Sequence, residues 1–322
     1  MRYRLKKISG DASFREFYRI RKNKKTSILV FAKKEKFRNL IVYSVVNNIL
    51  NKHKILSPQL IKNYYKDNMI EITDLGDKSF FDYIKNKKNK LKDYKKLIDL
   101  ILKLQQIKLK NSYFFEKKKI KFTKYSLEEL QQESDLFFDW YLKFLIKSKD
   151  NSKVKKVLKQ ELNNIYKKLN FKNYSFTHRD FHASNIMITN NKLSIIDSQD
   201  AIIGNPLYDV ASLIDDVRIK LPIKLQDALL KYYILKTKFK AKNKINLKND
   251  FDILSVQRNL KILGIFVRLC KRDNKSNYLK YLPYIWNLLE LRLKNPIFIN
   301  LKYLLDQAVP KKNRTKINFY VN

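Results

Sequence analysis

Residues 174 to 201 read YSFTHRDFHASNIMITNNKLSIIDSQDA, and no other stretch constrains the fold of this chain as much. Two short runs rich in β-branched residues, NIMIT and KLSIID, flank the turn formers Asn190 and Asn191, in a region whose apolar spacing is otherwise helical. The pattern predicts a β-hairpin. Closing it brings Asp180 and Asn185, which precede the first strand, close to Asp197, which follows the second. Two carboxylates and an amide are thereby gathered at the open end of one hairpin.

The flanking sequence divides into two parts. From Arg2 to about Asp74 there are β-type runs, FREFYRI (Phe14 to Ile20), SILVFA (Ser27 to Ala32) and NMIEIT (Asn68 to Thr73), with a helical segment from about Phe37 to Lys52 between the last two. After DLGDKS the spacing turns helical: Tyr94, Leu97, Ile98, Ile101 and Leu104 recur on one face, and further helices start near Leu127 and Val154. The expected fold class is α+β and bilobal, with a small β-rich lobe over residues 1–74, a larger, mostly helical lobe over residues 75–309, and a loosely attached basic tail over residues 310–322.

Composition narrows the classes. Of the 322 residues, 44% are hydrophobic, enough for a real core. No apolar run approaches the roughly 20 residues that span a bilayer, and the basic start MRYRLKKISG lacks the apolar stretch of a secretory signal. A cytoplasmic protein without a membrane partner is expected. The single cysteine, Cys270, excludes an internal disulfide and a cysteine metal cluster and reads as a small apolar helix residue.

The 70 Lys and Arg against 30 Asp and Glu give a net charge of +40. Blocks such as IKNKKNKLKDYKK (Ile84 to Lys96) and KTKFKAKNKINLKND (Lys236 to Asp250) have the cation density of a polyanion-binding patch. The lysines are nevertheless spread along the whole chain and accompanied by abundant Asn and Ile, the signature of AT-rich codons. No specific nucleic-acid partner is expected, although non-specific RNA binding at low salt follows from the charge.

The chemistry of the hairpin residues is that of phosphoryl transfer. A hydroxyl attacking the γ-phosphate of ATP needs a carboxylate to orient it and take its proton, while cations hold the phosphates. Asp180 suits the base; Asn185 and Asp197 suit Mg²⁺, which prefers hard oxygen donors. The pattern H-x-D-x-x-x-x-N followed by a strand and an Asp is the catalytic-loop signature of kinases. His178 and His182 read as groups that brace this loop, because an i, i+4 metal pair needs a helix; His53 is isolated.

With these residues in place, the chain resembles the aminoglycoside phosphotransferase and choline kinase superfamily, and within it the bacterial N-acetylmuramate/N-acetylglucosamine anomeric kinases of cell-wall recycling. The resemblance rests on SGDASFREFYRI (Ser9 to Ile20), EITDLGDKSFFDYI (Glu71 to Ile84), HRDFHASNIMI (His178 to Ile188), IIDSQDAIIGNPLYDVASLIDD (Ile195 to Asp216) and LKILGIFVRLCKRDNKSNYLKYLP (Leu260 to Pro283). It implies a protein-kinase-like fold with a nucleotide-covering small lobe and the substrate pocket in the larger one. ATP and Mg²⁺ are the implied cofactors, a small-molecule amino sugar the partner, a monomer the assembly, and an ATP-dependent sugar kinase the activity. GDASFR and KILGIFVRL carry the likeness to the sugar-kinase branch.

The resemblance also implies roles. Asp180 matches the catalytic base, with Asn185 and Asp197 as the Mg²⁺ ligands. The turn Gly10, Asp11, Ala12 and Ser13 matches the phosphate-covering loop, although it holds a single glycine. Glu71, Ile72 and Asp74 match the adenine-receiving linker, and Asp209 matches the helix-start aspartate that braces the catalytic loop. The departure is in the third strand, where the superfamily carries a phosphate-binding lysine and SILVFAKK offers no secure equivalent. Arg15, Lys33 and Lys34 are the candidates, and a non-catalytic kinase fold stays open as an alternative.

For the acceptor, QQESDLFFDWYLKFLI (Gln131 to Ile146) offers Trp140 as a stacking surface with Glu133 or Asp135 as hydroxyl partners, against the plainer reading of an amphipathic core helix; Asp200 is a further candidate. A lactyl carboxylate would suit a basic pocket, for which Arg218, Arg268 and Arg272 are available. Polycationic aminoglycosides fit so basic a chain less well.

Overall fold

The computed structural model describes residues 4–8, 15–23, 25–33, 37–116, 118–145, 151–237 and 244–314. The turn Gly10 to Ser13, and Lys34, lie outside the described residues. The chain divides into two compact units, Met1–Thr123 with Ser175–Ile203, and Lys124–Tyr174 with Gly204–Asn322.

The first unit begins with β1 (Arg4–Ile8), β2 (Arg15–Lys22), β3 (Lys25–Ala32), α1 (Phe37–Lys52), β4 (Leu60–Tyr64) and β5 (Met69–Thr73). The strands form one antiparallel sheet in the order β1-β2-β3-β5-β4. The alternation of β3 sends Ile28, Val30 and Ala32 to one face, where they meet Ile70 and Ile72 of β5 and Leu40 and Tyr43 of α1 in a buried cluster. The runs expected over Phe14–Ile20, Ser27–Ala32 and Asn68–Thr73 correspond to β2, β3 and β5, which are the strands with apolar alternation.

Next come α2 (Phe80–Ile84), α3 (Leu91–Gln105), and the hairpin of β6 (Ser112–Phe115) and β7 (Lys118–Lys121). The helical spacing read over Tyr94 to Leu104 is the buried face of α3, with the Tyr94 ring edge-on to Phe80 at 5.8 Å between centroids. After the sequence has passed through the second unit it returns as β8 (Ser175–Thr177), the catalytic-loop motif, β9 (Ile186–Thr189), β10 (Lys192–Ile195) and β11 (Ile202–Gly204). Strands β9 and β10 are the hairpin anticipated from the sequence. Asn190 and Asn191 both take positive φ (48° and 60°), the backbone a tight two-residue hairpin turn demands. The hairpin is fixed to its unit by Ile188 N–H to Lys78 O and Ile195 N–H to Leu56 O, each 2.8 Å.

The second unit is helical. It holds α4 (Leu127–Leu136), which a Ser126/Glu129 capping box starts and a π-helical stretch, Phe137–Leu142, continues. Then follow α5 (Lys143–Leu145), α6 (Asn151–Tyr166), α7 (Tyr208–Ile214), α8 (Ile223–Lys236), α9 (Lys244–Asp273), α10 (Leu282–Arg292), α11 (Ile299–Ala308) and α12 (Lys311–Arg314). Helix α9 is the spine, every residue from Phe251 to Leu260 being buried. Its start lies inside the lysine block Lys236 to Asp250, so the end of that block is helix. Cys270 is buried on it.

A buried ion pair ties this unit together: Arg292 donates to Asp215 at 2.6 and 3.0 Å and to Gln226, while its guanidinium stacks on Phe251. The tail expected to hang loose from Pro310 is corrected as far as Arg314. That residue is buried over the Trp286 ring and bonded to Glu290 and Asp306, contacts that a basic tail read from charge alone does not reveal. Among the described residues no helix is long and apolar enough to cross a membrane.

Candidate active site

The motif His178–Asn185 is held chiefly by backbone. His178 is fully buried; its Nε2 faces Ile196 O at 3.0 Å and its Nδ1 accepts the Asp180 N–H at 3.3 Å, which sets the tautomer with the proton on Nε2. Asn185 donates from Nδ2 to Asp180 O at 2.9 Å, and its own carbonyl accepts from Ile196 N–H at 3.0 Å. The loop before β9 is therefore stitched to the segment after β10. Arg179 and Asp197 both sit in the left-handed region, φ 71° and 63°, a conformation that costs of order 1 kcal/mol or more for a residue with a side chain. Such strain persists where the surroundings over-determine it, as these cross-strand bonds do here.

The side chains left by this bracing are the chemical ones. Asp180 is half exposed, its Oδ1 3.6 Å from Nε2 of the buried His182. Because the Asn185 amide nitrogen is committed to the loop, Oδ1 is its open donor. Asp197 receives Arg15 Nη2 on Oδ1, and its other oxygen is left for a further partner. One carboxylate oxygen and one amide oxygen on adjacent, rigid segments are the hard donor set that Mg²⁺ takes together with water and phosphate, so these residues fit the ion. Histidines 178 and 182 brace the loop; among the described residues no group of three His, Cys, Asp or Glu stands ready for a metal.

The residues expected from the sequence to bind nucleotide separate clearly. Arg15 is buried at the start of β2 and Lys33 is exposed beyond the end of β3. Glu71 and Ile72 lie inside β5, paired by β3 on one side and β4 on the other, so their backbone belongs to the ladder. The open backbone of the linker starts at Asp74. Burial would push the Asp74 carboxyl up, but hydrogen bonds from Arg19 and the Gly76 N–H outweigh it and hold the carboxyl below its ordinary value. Thr189 Oγ1 donates to Leu75 O at 2.8 Å, joining linker and hairpin. Asp200 is exposed and accepts from Gln199 Nε2 at 2.9 Å.

Glu133, Asp135 and Trp140 belong to the second unit. Both oxygens of Glu133 are engaged: Oε1 by Lys261 at 2.8 Å, Oε2 by Gln257 at 3.1 Å and by the hydroxyls of Tyr125 and Tyr208. Its carboxylate is therefore drawn into a network of side chains within the helical unit, a situation that spacing along the sequence could not disclose. Asp135 pairs with Lys159 at 2.7 Å. Trp140 stacks on Phe144, 6.4 Å between ring centroids, and lines a cavity of about 480 Å³ with Asp139 and Lys155, which are paired at 2.6 Å. Arg218 lies 3.6 Å from Asp216, Arg272 pairs with its neighbour Asp273, and Arg268 is part-buried. Asp209 is buried in the first turn of α7.

Sheet topology, hairpin and loop together define a kinase-like fold. A spectinomycin phosphotransferase solved with ADP and spectinomycin superposes with a TM-score of 0.58 at 12% identity, covering 94% of this chain and 92% of that one. A choline kinase from Cryptosporidium parvum Iowa II superposes with a TM-score of 0.62 at 12% identity, over 94% and 93%. The model of the phosphotransferase enzyme family matches residues 4–242, and the chain belongs to that family. It is an enzyme, a kinase-type phosphotransferase acting on a small molecule. A Pseudomonas aeruginosa protein named N-acetylmuramate/N-acetylglucosamine kinase is 24% identical over 286 residues, which are 88% of this chain and 81% of that one.

Proposed function

We propose that the protein uses ATP and Mg²⁺ to phosphorylate the anomeric C1 hydroxyl of N-acetylmuramate or N-acetylglucosamine, giving the sugar 1-phosphate, as a cytoplasmic monomer in cell-wall recycling. The observation that carries the chemistry is the half-exposed Asp180 on a loop whose backbone is fixed by His178 and Asn185. The acceptor is supported by the name of the Pseudomonas aeruginosa relative together with the motifs GDASFR and KILGIFVRL.

Asp180 orients the attacking hydroxyl and accepts its proton. Asp197 and Asn185 would hold Mg²⁺, which when bound neutralises charge on the phosphates. The linker at Asp74 receives the adenine edge through its backbone, and Arg15 supplies the fixed cation. An anomeric hydroxyl is more acidic than an ordinary alcohol, so its activation by Asp180 needs less proton-transfer work.

ADP release measured across N-acetylmuramate, N-acetylglucosamine, their alditols, choline and an aminoglycoside tests the reading. Mg²⁺-dependent release with the two free amino sugars is the expected result. Release with choline or the aminoglycoside, and none with either sugar, overturns the acceptor assignment.

A further inference from the structure

The position of the missing lysine is empty at both ends. In protein kinases a third-strand lysine reaches the phosphates and pairs with a glutamate on the helix between the third and fourth strands. Here β3 has no cation beyond its first residue, Lys25, and α1, FRNLIVYSVVNNILNK, contains no acidic residue at all. Nothing of that ion pair can form on these two elements.

Arg15 fills the gap from the neighbouring strand. It lies opposite Ala32 in the β2–β3 register, so its side chain leaves the sheet on the face that β3 shows to α1. There the guanidinium carbon stands 5.3 Å from the Tyr43 ring on α1 and 5.6 Å from the Phe17 ring, with only 3% of the side chain exposed. One arm of the fork meets Asp197, and Nη1 donates to Gln199 Oε1 at 2.9 Å. Helix α1 is tied to the same segment one turn further on, where Ser198 Oγ donates to Asn47 Oδ1 at 2.7 Å.

Arginine is the residue this slot requires. Guanidinium keeps its charge when buried, stacks on aromatic faces and presents several donors in a fixed plane, whereas a buried ammonium loses its proton readily and does not stack as well.

We infer that Arg15, stacked on Tyr43, replaces the strand lysine and its helix glutamate: it neutralises the nucleotide phosphates, and the stack in place of an ion pair sets α1 against Asp197. The inference rests on the nucleotide site proposed above. Calorimetric titration of ADP and of adenosine, both with Mg²⁺ and without sugar, tests it independently of turnover. Arg15→Gln is expected to weaken ADP binding about ten- to a hundredfold, the scale of a charge-assisted hydrogen bond, and to leave adenosine affinity unchanged. Tyr43→Leu keeps the charge and removes the ring; a smaller loss for ADP, about three- to tenfold, again with adenosine spared, is expected of it. It decides alone if Arg15→Gln does not fold. Unchanged ADP affinity in these variants, or a loss shared equally by adenosine, overturns the assignment of Arg15. Wild-type protein that binds no ADP would overturn the nucleotide site as well.

Discussion

Asp180→Asn is expected to lower turnover by about 10² to 10⁴, the scale of a general base, while ATP binding stays close to wild type. The reason for the split lies in how the loop is held. Asp180 contributes its backbone to the bracing, N–H to His178 Nδ1 and carbonyl to Asn185 Nδ2, while its carboxylate is half exposed with Oδ1 3.6 Å from His182 Nε2. Asparagine keeps the shape and the backbone bonds but cannot accept the proton. Steady-state rates with the sugar acceptor and calorimetry with ATP measure the two halves separately. Turnover near wild type would remove Asp180 from the role of base, and lost ATP binding would make it a structural residue.

The second large effect concerns Gly264, in the middle of α9 and of the motif KILGIFVRL. By helix propensity alone, Gly264→Ala should stabilise the protein by about 1 kcal/mol. Packing reverses the sign: a Cβ at this position would overlap the Leu136 carbonyl and come within 2.6 Å of Phe137 N, where α4 passes into the π-helical stretch. Both neighbours are backbone, which cannot rotate aside, so α9 and α4 must separate. Overpacking of this kind costs about 1–3 kcal/mol and more where backbone is involved, enough to exceed the propensity gain. Thermal unfolding should show a lower midpoint for the alanine variant; a midpoint at or above wild type would mean that the close approach of the two helices is not needed.

The propensity cost of Gly264 is explained only by its close approach to α4, which appears once the helices are packed. The hairpin around Asn190 and Asn191, by contrast, was legible, since turn chemistry and β-branched alternation agree over adjacent residues. Strand β1, RLKKI, and strand β4, LIKNY, were not legible. They are the sheet edges, mostly exposed, and their lysines obscure any alternation, so only the backbone pairing with β2 and β5 makes them strands. The hairpin of β6 and β7 was hidden in the same way by the lysines of KKIK.

The three polar groups of the loop and hairpin could be proposed from the sequence because they lie within a few residues of a recognisable turn. The environments of Arg15 and Glu133 could not. Arg15 lies 182 residues from Asp197 along the chain, and Gln257 lies 124 residues from Glu133. In a chain with 70 Lys and Arg, which of them are buried and stacked depends on contacts between distant segments. Glu133 offered an acid beside aromatic residues, which suits sugar binding; that Tyr125 and Tyr208 donate to its carboxylate is visible only once the helices are packed.

The position of the transferred phosphate decides the central claim, and phosphorus NMR of the product made from ATP and N-acetylmuramate or N-acetylglucosamine reads it directly. A phosphate signal coupled to the anomeric proton, with no turnover of the corresponding alditol, is the predicted result. A phosphate on C6, or efficient phosphorylation of the alditol, would contradict it.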